Sequence, residues 1–275
     1  MEKAKVYFTD MRTGYGGLSL PQKLAKLIKA AGIGNIDFNK KFAAIKIHFG
    51  EPGNVSYLRP NYAKAVADVV KEFGGMPFLT DCNTLYVGRR KHALEHITAA
   101  YENGFSPFST GCHVIIADGL KGTDEAYVPV PGGEVVKEAK IGKALMDADI
   151  IISLNHFKGH EAAGFGGAIK NIGMGGGSRA GKMEMHHDGK PQVDQSKCIG
   201  CHACERICAH ARRLLRTKSP TSTGTNALAA GAASVHAPWM PLIRRKLVPA
   251  WKCLTNAWPN MHGQFWQADR ISISA

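Results

Sequence analysis

Four cysteines, Cys198, Cys201, Cys204 and Cys208, stand at C-x2-C-x2-C-x3-C spacing within CIGCHACERICAH. Thiolates carried on so tight a turn converge on one inorganic cluster. The spacing is that of bacterial ferredoxins, where three sulfurs hold one cluster and the fourth crosses to another. Gly200 and Ala203 are small enough for backbone N–H groups to turn toward the sulfurs and tune the potential. A zinc knot is the rival chemistry, kept open by His202 and His210, although zinc sites favour two well-separated pairs. Ala209 stands where such runs usually carry proline. One run gives only half the ligands of a two-cluster module, and beyond it the chain offers only Cys253.

Two further stretches could bind a small anion. KIHFGEPGNVSYLRP (46–60) places Lys46 and His48 on a strand, Gly50 and Gly53 in the following loop, and Arg59 before a helix. LNHFKGHEAAGFGGAIKNIGMGGGSRAGKMEMHH (154–187) follows an apolar strand with Lys158 and His160, then a glycine-rich run containing Lys170 and Asn171. Ligands of parallel sheets bind outside the carboxyl ends of the strands, where these loops collect. Glycine lets backbone approach a ligand, and Lys, Arg and His favour a negative one. The expected site is Lys46, His48, Arg59, Lys158, His160, Lys170 and Asn171. Neither stretch matches a P-loop or a dinucleotide fingerprint. Cys82 and Cys112 read as buried small hydrophobes, and His92 and His96 as ordinary helical positions.

The elements that must position these groups alternate. Strands are expected at 3–10, 42–50, 76–82 and 112–119 and helices at 18–32, 62–75 and 88–104, and GEVVKEAKIGKALMDADIIISLNHFKG (133–159) adds a strand, a short helix and the strongly apolar strand of ADIIISL (148–154). Strands alternating with helices of this length predict an α/β fold, a mainly parallel sheet covered by helices on both faces. The α/β domain spans 1–190 and a ferredoxin-like half-module 191–211.

Residues 212–275 form an aberrant tail. From Ala209 onward nine basic residues face the single acid Asp269, and all four tryptophans fall there, within a chain of 275 residues and formal charge +13. The tail reads as a frame-shifted version of the missing motif. Joining the last base of each codon to the first two of the next permits cysteine at 226/227, 229/230, 232/233 and 236/237, spaced x2, x2, x3. Trp239-Met240-Pro241 then yields Asp-Ala. A shifted tail is expected to be poorly ordered, to leave the sheet without its last strands, and so to expose an apolar edge. Its charge then says nothing of nucleic acid. No apolar run approaches the roughly 20 residues of a membrane span, and the MEKAKVYFTD start lacks a signal-peptide pattern. A cytoplasmic protein is expected, consistent with thiols kept reduced.

With KIHFGEPGN…LRP, FKGHEAAGFGGAIKNIGMG and CIGCHACERIC in this order, the chain resembles the family named domain of unknown function 362, in its form with an inserted two-cluster ferredoxin module. The resemblance covers roughly residues 3–208. It implies 4Fe-4S binding, with Cys198, Cys201 and Cys204 on one cluster and Cys208 on a second, and electron transfer with a partner protein. The alternative expectation is an α/β enzyme or binding domain for a small anionic substrate, with the cluster as electron relay.

Overall fold

The computed structural model describes residues 5–86, 88–134, 136–160, 164–186 and 271–274, the last four by their backbone. The cysteine run and the rest of the tail, with the half-module and frame-shift expectations, lie outside the described residues.

Helix α1 is Leu20–Ala30; Ser19 caps it, its N–H donating to Gln22 Oε1 at 2.9 Å. Strand β1 is Phe42–Lys46, and helix α2, Pro60–Glu72, begins with proline, whose missing N–H costs nothing at that position. Then come β2 (Met76–Asp81), α3 (Ala93–Glu102), the short α4 (Pro107–Thr110) and β3 (Val114–Ile116). A hairpin of β4 (Glu125–Pro129) and β5 (Glu138–Gly142) leads into α5 (Lys143–Asp147) and β6 (Ile150–Asn155). A second hairpin, β7 (Lys158–His160) with β8 (Gly164–Gly166), precedes α6 (Ala168–Gly173) and α7 (Arg179–Met185). The last strand is β9, Ile271–Ser274.

The main sheet runs β3-β2-β1-β6-β9, every pair parallel. Because strand side chains alternate, each strand feeds two cores. On one face Ala43, Ile45, Leu79, Val114 and Ile152 pack with α1, α2 and α3. On the other Ala44, Phe78 and Ala117 pack with the β4–β5 hairpin and with Leu145 of α5. Handedness explains the division. The crossovers β1→β2→β3 travel one way and the return from β3 to β6 travels the other, so right-handed connections fall on opposite faces. The α/β expectation holds, with a hairpin supplying part of the second cover.

Two expectations change. Residues 5–10 form no strand, and Val6 and Phe8 are 88% and 85% exposed. The apolar run has β propensity but no described strand beside it, and a strand without a ladder does not persist in water. The edge of β6 is also covered, since β9 pairs along Ile152–Asn155. The expected bare edge is therefore absent there.

Candidate functional site

Strand order reverses between β1 and β6: β2 and β3 lie on one side of β1 and β6 on the other. Loops leaving the carboxyl ends of these two neighbours diverge, and the crevice between them is where open α/β sheets take ligands. Lys46 is the last residue of β1, Asp81 the last of β2, and Ser153 lies beside Lys46 on β6.

Lys46 is 1% exposed. Its Nζ donates to Asp81 Oδ1 at 2.9 Å and to Asn171 Oδ1 at 2.8 Å. Asn171 Nδ2 donates in turn to the Lys46 carbonyl and to Ser153 Oγ, both at 3.0 Å, tying α6 to two strands. Asp81 Oδ1 also accepts from the Cys82 N–H at 2.9 Å, and Oδ2 faces Arg90 Nη1 at 3.5 Å. Arg90 Nε donates to Glu51 Oε1 at 2.7 Å. The floor therefore pairs two cations with two carboxylates. Buried charge survives when it is matched in this way, and removing one member leaves its partner uncompensated.

The titration states follow. Burial raises Asp81, but the Lys46 charge beside it, helped by His96 and Arg90, more than offsets this and holds the carboxyl below its usual range. His96 has no exposed surface, and burial pushes it down to about 3 against the pull of Asp81. The ring stands neutral on the edge of Phe49, 5.7 Å away, with neither nitrogen hydrogen-bonded among the described residues and Nε2 3.9 Å from Asp81 Oδ2. Burial pushes the Cys82 thiol up to about 12 and raises Cys112. Both are inert small hydrophobes, as expected.

A second polar knot lies at the ends of β2 and β3. Asn83 donates from N at 2.9 Å and from Nδ2 at 2.8 Å to Asp118 Oδ1. Burial raises Asp118, opposed by Lys182. Lys182 Nζ donates to the carbonyls of Gly175 and Gly177. The glycine run 175–177 thus lies on the protein's own charged floor. A Cβ at Gly175 would meet Lys46 Nζ at 2.6 Å and the Asn171 carbonyl. Close packing demands glycine here, where the sequence suggested an approach to a ligand.

The rim differs. Lys158 is exposed and makes no ion pair among the described residues. A Cβ on Gly166 would touch both Lys158 Cγ (3.9 Å) and Lys170 Cδ (3.4 Å), so both lysine stems flank Gly166. Lys158 and His160 share one face of their hairpin; Phe157 and Phe165 pair at 5.5 Å with both rings exposed. His48 is exposed, and its Nδ1 accepts from the Gly50 N–H at 3.0 Å. Its imidazole is held below its ordinary value, first by crowding against the protein, then by the Arg90 charge, with Asp81 opposing and Lys46 and Lys158 adding smaller contributions. Arg59 occupies the position before α2 without a side-chain cap, and its guanidinium lies 5.3 Å from the centre of the Tyr57 ring.

Of the expected set, Lys46 and Asn171 belong to the floor, Lys170 lies beside Asn171 on α6, and His48, Lys158 and His160 belong to the loop and hairpin around it. Arg59 lies on the Tyr57 ring. Sequence reading missed Asp81, Arg90, Glu51, His96 and Ser153. One available signal was a charge closing an apolar strand: MPFLTD ends in Asp81 as FAAIK ends in Lys46.

The fold and the charged floor at its switch point define a doubly covered parallel α/β domain. The chain belongs to the family described as Domain of unknown function (DUF362), whose model matches residues 43–244. A thylakoid-associated protein of Synechocystis sp. is 28% identical over 127 residues, covering 44% of this chain and 34% of that protein. The chain therefore spans about a third of this curated relative. Among solved structures, the lactate racemase apoprotein from Thermoanaerobacterium thermosaccharolyticum aligns with TM-score 0.40 and 14% identity over 62% of this chain and 36% of that one. A Thermotoga maritima protein aligns with TM-score 0.46 and 14% identity over 92% and 49%. Among the described residues no group of three or more His, Cys, Asp or Glu is placed to hold a metal, and none is long and apolar enough as a helix to cross a membrane.

Proposed function

We propose that this protein is a 4Fe-4S-binding electron-transfer protein of the cytoplasm, working with a redox partner protein. The observation that carries it is the spacing of Cys198, Cys201, Cys204 and Cys208. The donor set fits the group: four thiols in eleven residues suit an iron–sulfur cluster, whereas buried Cys82 and Cys112, with raised thiol values, make poor thiolate ligands. Cys198, Cys201 and Cys204 would hold one cluster and Cys208 would reach toward a second. Such a cluster supplies one-electron transfer, tuned by burial and hydrogen bonds to sulfur. Anaerobic reconstitution of the full chain, read by iron and labile-sulfide assay and EPR, tests this. Cluster signals lost on Cys201→Ser support it; zinc bound without labile sulfide sinks it.

A second reading concerns the α/β domain and rests on the switch-point crevice. There Lys158 and His48 stand beside a floor whose two cations are matched by two carboxylates, so an incoming anion would meet the Lys158 charge and the His48 ring without having to displace a carboxylate from either. The domain would bind a small anionic substrate, with the cluster as its electron relay. Isothermal titration of the full chain with acetate and with phosphate tests it: Lys158→Ala should weaken any binding seen.

A further inference from the structure

We propose that His48 is a hydrogen-bond donor of fixed tautomer, offering Nε2–H to an oxygen of a small oxyanion whose charge is met by Lys158. This rests on the second reading above and names the group that would orient the ligand.

The geometry begins with Gly50. Its φ of +84° lies in the left-handed region, where glycine is favoured. A Cβ there would lie 2.7 Å from Tyr57 Cδ1 and 2.8 Å from Asn103 Nδ2. Asn103 Nδ2 also donates to the Phe49 carbonyl at 2.9 Å. The turn is therefore held from two sides, and it aims the Gly50 N–H at His48 Nδ1, 3.0 Å away. An N–H can only be received by a lone pair, so Nδ1 carries no proton and the neutral ring carries its proton on Nε2. Protonating the ring would set two N–H groups against each other, so this contact by itself favours the neutral state. The charged groups acting on the ring agree in balance: Arg90, Lys46 and Lys158 oppose a further positive charge, and Asp81 alone favours it. His48 Nε2 has no partner among the described residues, and the residue is exposed.

The division of labour is then clear. Lys158 supplies charge and His48 supplies direction, since a neutral N–H selects an acceptor lone pair and is not attracted by charge alone. A ligand lacking an oxygen for His48 loses one hydrogen bond.

The test uses the full chain and its single-site variants. Ring nitrogen NMR, with the His48 signals assigned by their loss in His48→Gln, should show Nε2 protonated and Nδ1 bare. A ring protonated on Nδ1 overturns the proposal. Acetate and inorganic phosphate are then titrated separately by calorimetry. His48→Gln retains an N–H donor near the Nε2 position and should keep affinity, whereas His48→Asn should weaken the bound probe about 3- to 10-fold, the worth of one neutral hydrogen bond. Affinity for acetate should stay level from pH 8 to pH 6. A rise on acidification through about pH 6.5, the ordinary histidine range, marks a cationic ring and overturns the proposal. Binding that His48→Asn leaves unchanged sinks the role of His48 alone. No binding of either probe by the parent chain sinks the anion site as a whole, whatever the tautomer.

Discussion

Lys46 and Lys158 follow neighbouring strands at the same end of one sheet, yet their circumstances are opposite. Lys46 is enclosed, held by Asp81 and Asn171, with a glycine run laid against its nitrogen. Lys158 stands on a two-stranded hairpin in solvent, with no ion pair among the described residues. The first lysine is part of what keeps β1, β2 and α6 together. The second is available to something outside the chain. Residue type alone does not distinguish them; the matching acid does, because a charge enters a protein interior only with its counter-charge.

Breaking the floor should produce the largest effect. Lys46→Met strands Asp81 without its nearest cation and should cost about 3–5 kcal/mol in urea unfolding. Lys46→Met combined with Asp81→Leu should recover much of that loss, since neither charge is then left alone. A single variant no less stable than the parent would mean that the floor is not a matched unit.

Overpacking the same region comes next. Gly175→Ala forces a methyl against Lys46 and should cost about 1–3 kcal/mol. Gly53→Ala is the converse case, since it meets nothing within 4 Å but carries the strain of a φ of +84°, whereas Gly175 lies outside the left-handed region and is penalised by contact alone.

Acid sharpens the contrast further. The folded value of His96 lies at about 3, below the roughly 6.5 of an unfolded histidine. Between these values the unfolded chain binds a proton that the folded chain refuses, so stability falls on acidification by up to about 1.4 kcal/mol per pH unit. Asp81, depressed in the folded state, adds a loss of the same sign below about pH 4. Urea midpoints at pH 7, 5.5 and 4 should decline in that order, and His96→Leu should flatten the upper part of the decline. His48, whose imidazole is also held below its ordinary value, acts in the same direction.

The rim gives the smallest change in stability. Lys158→Ala should leave the urea midpoint within about 0.5 kcal/mol of the parent, with its effect confined to anion titration. A large loss of stability would place Lys158 with the floor.

Much of this arrangement was legible beforehand, for specific reasons. FAAIK, MPFLTD and IIISLN read as strands because they are continuous apolar runs, as strands covered on both faces must be. Helix α2 was visible through its periodicity. The β4–β5 hairpin was legible only in its second strand: EAKIG falls within an expected strand, but EAYVP is half exposed and alternates weakly, so its pairing with EAKIG depends on tertiary contact. VYF near the start misled because propensity speaks only for a strand that finds a neighbour. At the site, Lys46 and Asn171 were chosen for the right place but the wrong availability. Nothing in the spacing of the sequence announces that Asp81, thirty-five residues after Lys46, closes on it.

The pairing of β9 with β6 carries a last consequence, for the order in which the molecule assembles. Between β1 and its neighbour β6 the chain passes through β2 and β3, so each step closes one crossover, whereas Ile271 joins Ile152 across more than a hundred residues with no other strand of the main sheet between them among the described residues. Closing so long a loop is slow, and the pairing rewards it with only four residues. The terminal strand should therefore dock after the rest of the sheet has formed and be the first to let go. In hydrogen-exchange measurements the amides of residues 271–274 should trade with solvent well ahead of those in β1.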